Sequence, residues 1–262
     1  MWYLTHPRCT MGSTPADFGF DYEDISFPTE RGLTLHGYFI PGSSGATVMV
    51  APTYGNGRGG DLHYADVFRR AGFSVLTFNS PICEGYGKHT LGYEEAGDIQ
   101  SAYNYLLTRA DVDPQRVSLH GFSAGGAASL MAMPRIPQIR AVSAEGGYHD
   151  YAAEMGLGQT NSWFDTLFTW GIAATYTVVT GHSVYDLSPY SVIDQIAPRP
   201  ILLIYGSREP TLSGARRMLE RAGSNAQLWI VEGAGHGQYL QVARDEFERR
   251  VLAFHRAALL GE

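Results

Sequence analysis

The chain is short of cysteine, of charge and of long apolar runs, and each shortage removes a class of protein. Its two cysteines, Cys9 and Cys83, lack CxxC spacing and can form at most one bridge, which excludes a disulfide-stapled scaffold. They read as reduced thiols of a cytoplasmic protein. No stretch approaches the ~18 uninterrupted apolar residues that a bilayer span requires. The opening MWYLTHPR has neither the basic n-region nor the cleavage site of a signal peptide. Basic runs are missing too, and a formal net charge of −7 argues against nucleic acid and anionic membrane as partners. The nine histidines scatter from His6 to His255 without HxxxH or HExxH spacing, so no metal or other cofactor is expected. Repeats, low-complexity tracts and linkers are absent as well. What remains, 262 residues with 44% apolar and 17% charged content, is expected to fold as a single α/β domain around one large core.

Along the chain, YEDISF (22–27) and LTLHGYFI (33–40) alternate and turn like an antiparallel hairpin. ATVMVAP (46–52) reads as a third strand that breaks into the loop TYGNGRGG. From there strands and helices alternate: FSVLTFNS, EEAGDIQSAYNYLLTR, RVSLHGF, AASLMAM, IRAVSAEGG (139–147). This rhythm implies crossover connections and a mostly parallel sheet. Residues 148–198 interrupt it with no strand pattern and with Trp163, Phe164, Phe168, Trp170, Tyr176 and Tyr185. They are expected to form a short helical cap over the sheet edge. The rhythm resumes with RPILLIYG (199–206), a helix, AQLWIVEG (226–233), the loop AGHGQ and a last helix. Eight strands in this order predict one mostly parallel sheet with helices on both faces, with binding residues outside the strands' carboxyl ends.

HGFSAGG, residues 120–126, lies at such an end, where the fifth strand gives way to a helix. GFSAG fits G-x-S-x-G, the nucleophile elbow, in which a strained turn lifts a serine oxygen clear of the sheet. A serine hydroxyl needs a base to take its proton, and His236, flanked by glycines after the last strand, would share that edge. His120 sits inside a strand, His255 in the final helix and His36 in the hairpin, while His149 and His182 border the cap and could contact substrate. The base needs a carboxylate partner. Glu209, in the turn after the preceding strand, is the leading choice, with Asp150 and Asp194 as competitors. Backbone amides of Ala124 and Tyr54 are expected to receive an oxyanion. On a helix, positions 164 and 168 share a face, as do 163 and 170. Trp163, Phe164, Phe168 and Trp170 are therefore expected to form an apolar substrate-binding roof above Ser123, unless they pack into the core.

With Ser123, Glu209 and His236 in that chain order, residues 20–260 resemble the α/β-hydrolase superfamily. The resemblance is to its branch related to dienelactone hydrolases and prolyl-oligopeptidase-like serine hydrolases. LTLHGYFIPG, GYGKHTLGYEEAGDI, LHGFSAGG, SPYSVIDQIAPRPILLIYG and GAGHG carry it. Two positions depart from the pattern: Pro52-Thr53 stands where His-Gly is common, and Glu209 where aspartate is usual. Relatives with this arrangement often have an N-terminal membrane helix, which this sequence does not include. The resemblance and the triad imply a serine esterase or thioesterase that acts through an acyl-enzyme on a small-molecule acyl substrate; the motifs do not fix that substrate, and the expectation of a small to medium apolar or aromatic acyl group comes from the aromatic roof. Peptidase, lyase and non-catalytic binding relatives remain as alternatives.

Overall fold

The computed structural model describes residues 2–157 and 162–262. Ten strands occur in chain order among them: β1 (Thr10–Gly12), β2 (Glu23–Pro28), β3 (Thr34–Ile40), β4 (Thr47–Ala51), β5 (Asn56–Gly59), β6 (Ser74–Phe78), β7 (Val117–Phe122), β8 (Val142–Glu145), β9 (Ile201–Gly206) and β10 (Ala226–Val231). Eight of them form one sheet in the order β10-β9-β8-β7-β4-β6-β3-β2. The β2–β3 and β3–β6 pairs are antiparallel, and every other pair in the sheet is parallel. This is the architecture the rhythm of apolar segments predicts.

The helices are α1 (Trp2–Thr5), α2 (Leu62–Arg70), α3 (Tyr93–Leu106), α4 (Ala124–Ala132), α5 (Tyr151–Glu154), α6 (Trp163–Thr180), α7 (Pro189–Val192), α8 (Leu212–Ala222) and α9 (Tyr239–Leu260). Alternation along the central strands divides the core into two layers. Met49 of β4 and Leu203 of β9 pack with Ile99 of α3, Leu130 of α4 and Met218 of α8. Their neighbours Val48, Val50 and Ile204 face the other way, onto Phe68 of α2 and Val251 of α9. Strands buried on both faces need the continuous apolar runs that β4 and β9 carry.

Two features depart from the sequence reading. The loop after β4 contains a strand, β5, that pairs in parallel with β1. Cys9 and Cys83 are joined in a disulfide across 74 residues of sequence, so they are not the reduced thiols expected, and a cytoplasmic location loses that support. The bond ties the segment carrying β1 to the turn after β6. No helix of the described residues is long and apolar enough to cross a membrane. Residues 148–198 hold α5, α6 and α7; within them, 158–161 lie outside the described residues.

Candidate active site

Ser123 follows β7 directly, Glu209 lies in the turn after β9, and His236 in the loop after β10, so parallel strands deliver all three to one sheet edge. Ser123 adopts φ 54° and ψ −122°, a left-handed conformation rare for a residue with a side chain. Its amide donates to the Glu145 carbonyl at 2.7 Å, which fixes the turn against β8. The turn can be this tight because Gly125 is small. A Cβ there would stand 2.7 Å from the Pro52 carbonyl oxygen at the end of β4.

The Ser123 hydroxyl lies 3.0 Å from His236 Nε2, and His236 Nδ1 lies 3.1 Å from Glu209 Oε2. The other Glu209 oxygen accepts from the Gly206 amide at 2.6 Å and from the Tyr239 hydroxyl at 2.5 Å. Burial alone would raise the Glu209 carboxyl. The bonds from His236, Gly206 and Tyr239 outweigh it and hold the group below the usual glutamate range. The acid therefore stays ionised beside the imidazole. Phe122 lies under the His236 ring at 4.8 Å between centroids. Gly146 leaves the ring its space, since a Cβ there would fall 2.8 Å from His236 Nδ1.

The competing acids are committed elsewhere. Asp150 caps α5 by accepting from the Ala153 amide at 2.9 Å and from the Ser188 hydroxyl at 2.8 Å. Asp194 pairs with Arg221 at 3.1 Å.

A cavity of about 270 Å³ opens over Ser123, bordered by Leu4, Tyr54, Leu91, Ala124, Tyr148, Tyr151, Glu154 and Thr211 as well as His236. Ala124 opens α4, so its amide is among the first-turn donors with no intrahelical partner. Tyr54, expected beside it, borders the same cavity. Its loop is organised by buried Asp61, which accepts from the Thr53 amide at 2.9 Å and from Asn56 Nδ2 at 3.1 Å.

The aromatic roof is not where the sequence reading put it. Trp163 and Trp170 are 75% and 70% exposed, Phe164 and Phe168 are exposed as well, and none of the four borders the cavity. The inward face of α6 belongs instead to Tyr176 and Thr180. His149 and His182 also stay out of the cavity, tied to Glu154 at 2.8 Å and to Glu94 at 2.9 Å.

No sequence motif marks Leu91, Tyr148, Tyr151 or Glu154, which come from separate loops and short helices. Leu91 carries a positive φ of 62° that no residue pattern announces. Tyr239, three residues after His236, carries a signal in the sequence only through its closeness to GAGHGQ.

The sheet order, the helices on both faces and the strained serine at a carboxyl edge together define an α/β-hydrolase fold. A family model described as the prolyl oligopeptidase family matches residues 63–261, and the chain belongs to that family. It is 30% identical over 199 residues to the uncharacterized protein YfhR of Escherichia coli, an alignment covering 71% of this chain and 63% of that protein. The chain thus spans less than two thirds of that relative's length. The thiohydrolase apmlB of Arthrinium phaeospermum is 28% identical over 130 residues, 47% of this chain and 42% of its own. Among solved structures, the esterase Pf2001 of Pyrococcus furiosus superposes with a TM-score of 0.78 at 22% identity, over 98% of each chain.

Proposed function

We propose that the chain is a serine hydrolase that cleaves a carboxylic ester or thioester of a small to medium apolar or aromatic acyl group. The carrying observation is the line from Ser123 through His236 to Glu209, with contacts of 3.0 and 3.1 Å. Ser123 Oγ attacks the acyl carbon as its proton passes to His236 Nε2, and the amides of Ala124 and Tyr54 receive the oxyanion. Collapse breaks the bond to the leaving oxygen or sulfur, which takes the proton from His236. Water, deprotonated by the same imidazole, then releases the acid and restores Ser123. Glu209 remains a carboxylate and stabilises the imidazolium. Leu91, Tyr148 and Tyr151 give the cavity its apolar wall, which favours an uncharged acyl group. The esterase and thiohydrolase names among similar proteins support the same reaction class.

Membership of the prolyl oligopeptidase family favours a second reading, cleavage of a peptide. A fluorophosphonate probe tests the shared first step, and its adduct is expected on Ser123. A panel of p-nitrophenyl esters, thioesters and aminoacyl nitroanilides then separates the two, with Ser123→Ala as control. Turnover of short acyl esters with inert nitroanilides supports the esterase reading, and the reverse overturns it. Labelling at another residue, or full activity in Ser123→Ala, overturns both.

A further inference from the structure

Helix α6 is amphipathic in the wrong sense for a helix serving only the core. At 100° per residue, Trp163, Phe164, Leu167, Phe168, Trp170 and Val178 fall within an arc of roughly 160° along a helix about 27 Å long. All six are exposed, Val178 at 85%. Over the C-terminal half the opposite side faces the protein: Tyr176 and Thr180 are buried, and the Tyr176 hydroxyl donates to the Thr90 carbonyl at 2.7 Å, whereas residues 163–168 are exposed all round. The apolar side is the one turned away.

The helix's threonine hydroxyls are already satisfied. The hydroxyls of Thr166, Thr169, Thr175 and Thr177 each donate to a carbonyl four residues back, at 2.9, 2.9, 2.7 and 3.1 Å. The helix sequence WFDTLFTWGIAATYTVVT has no basic residue, and its one acid, Asp165, takes the Ser162 hydroxyl at 2.6 Å at the N-terminal cap. A protein partner would need about one hydrogen bond per 100–200 Å² of interface. These threonines keep their donors inside the helix, as a helix entering a low-dielectric medium must. Tryptophan and phenylalanine on one face suit the boundary between headgroups and acyl chains.

We propose that this face of α6 seats the protein on a zwitterionic lipid surface. The missing basic residues and the net charge of −7 set the lipid type, because an anionic surface would repel this chain. Tyr176 packs in one cluster with Leu91 and Tyr148, two residues of the cavity over Ser123. Seating α6 therefore brings the cavity wall to within about one helix diameter of the lipid. The proposal concerns where the protein sits and stands whether or not Ser123 is a nucleophile.

Flotation with phosphatidylcholine vesicles tests it, using the Ser123→Ala protein so that no vesicle ester is consumed. The protein is expected to float at low and at high salt, with tryptophan emission shifted to the blue. The double variant Phe168→Asp, Trp170→Asp should lose about tenfold or more of its partitioning. Its melting temperature should stay near the parent's, since both side chains are exposed. The idea fails if the parent does not float, if the variant floats equally, or if only anionic vesicles retain the protein. It fails equally if sedimentation shows a dimer that the same double variant dissociates, because a second copy is then the occupant.

Discussion

Ser123 holds a backbone conformation that costs on the order of 1–3 kcal/mol. The cost is sustained by the 2.7 Å bond from its amide to Glu145 and by the packing of Gly125 on β4. Two substitutions separate this strain from the chemistry. Ser123→Ala keeps the strained backbone and loses the nucleophile, whereas Ser123→Gly also relieves the strain. Urea unfolding should find the glycine variant more stable than the alanine variant by about 1 kcal/mol, and the reverse order would mean that no strain is stored there. The acid makes the same kind of distinction. Glu209→Gln should lower turnover by about 10³- to 10⁴-fold, since the imidazolium loses its counter-charge while the buried shape is kept. Asp150→Asn alters only a cap that retains an acceptor oxygen, so its turnover should stay within about twofold of the parent. Equal kinetics for these two acid variants would show that His236 is oriented by something other than Glu209.

At the scale of elements, the eight sheet strands were legible because the outer ones alternate, as β2 does, while central strands such as β4 and β9 run continuously apolar, the patterns that one and two buried faces demand. Ser123 and His236 were legible for a related reason, since each lies among glycines where such a strand ends. β5 was not: NGRG has no apolar residue, and its extension is held from outside, by β1 on one side and by Asn79, which accepts from the Arg58 amide at 2.6 Å. The face of α6 was half legible. Its apolar arc follows from spacing, but spacing cannot say which side meets the protein, and Tyr176, with its hydroxyl on Thr90, decides that. The wall of the cavity, drawn from Leu91, Tyr148 and Tyr151, left no local signature at all. Selectivity should therefore answer to the wall rather than to the helix. Tyr151→Ala should shift the acyl-length optimum upward, each added methylene it accommodates being worth about 0.8 kcal/mol. Phe164→Ala should leave both the profile and the melting temperature unchanged, and a shifted profile in that variant would return α6 to the substrate site.

Across the whole molecule, a buried polar chain links the last helix to the sheet behind the serine. Ser118 and Ser143 flank His255 at 2.7 and 2.8 Å, Ser143 also meets His120 at 2.8 Å, and His120 Nε2 lies 3.2 Å from Glu145. The Tyr64 hydroxyl donates to the other Glu145 oxygen at 2.9 Å. Burial pushes His255 down to about 3 and holds His120 well below its ordinary value, the latter also by the neighbouring His255. Burial raises the Glu145 carboxyl far above its ordinary range. The folded chain thus carries one proton on this network, on Glu145. Between about pH 4.5 and 6.5 the unfolded chain carries two, one on each imidazole, so lowering the pH destabilises the fold by about 1.4 kcal/mol per unit. Above about pH 6.5 the unfolded chain carries none, the sign reverses, and rising pH is destabilising until Glu145 ionises in the fold. The network by itself places maximum stability near pH 6.5. Urea unfolding across pH checks this by difference, because the remaining titratable groups are common to parent and variant. His255→Gln, which keeps hydrogen-bonding atoms without a titrating ring, should remove one proton's worth of slope below about pH 6.5 relative to the parent. Glu145→Gln should abolish the fall above that pH and steepen the acid side to about 2.7 kcal/mol per unit from the two imidazoles. Slopes unchanged in both variants would mean that these buried groups exchange protons with solvent in the folded state as freely as in the unfolded one.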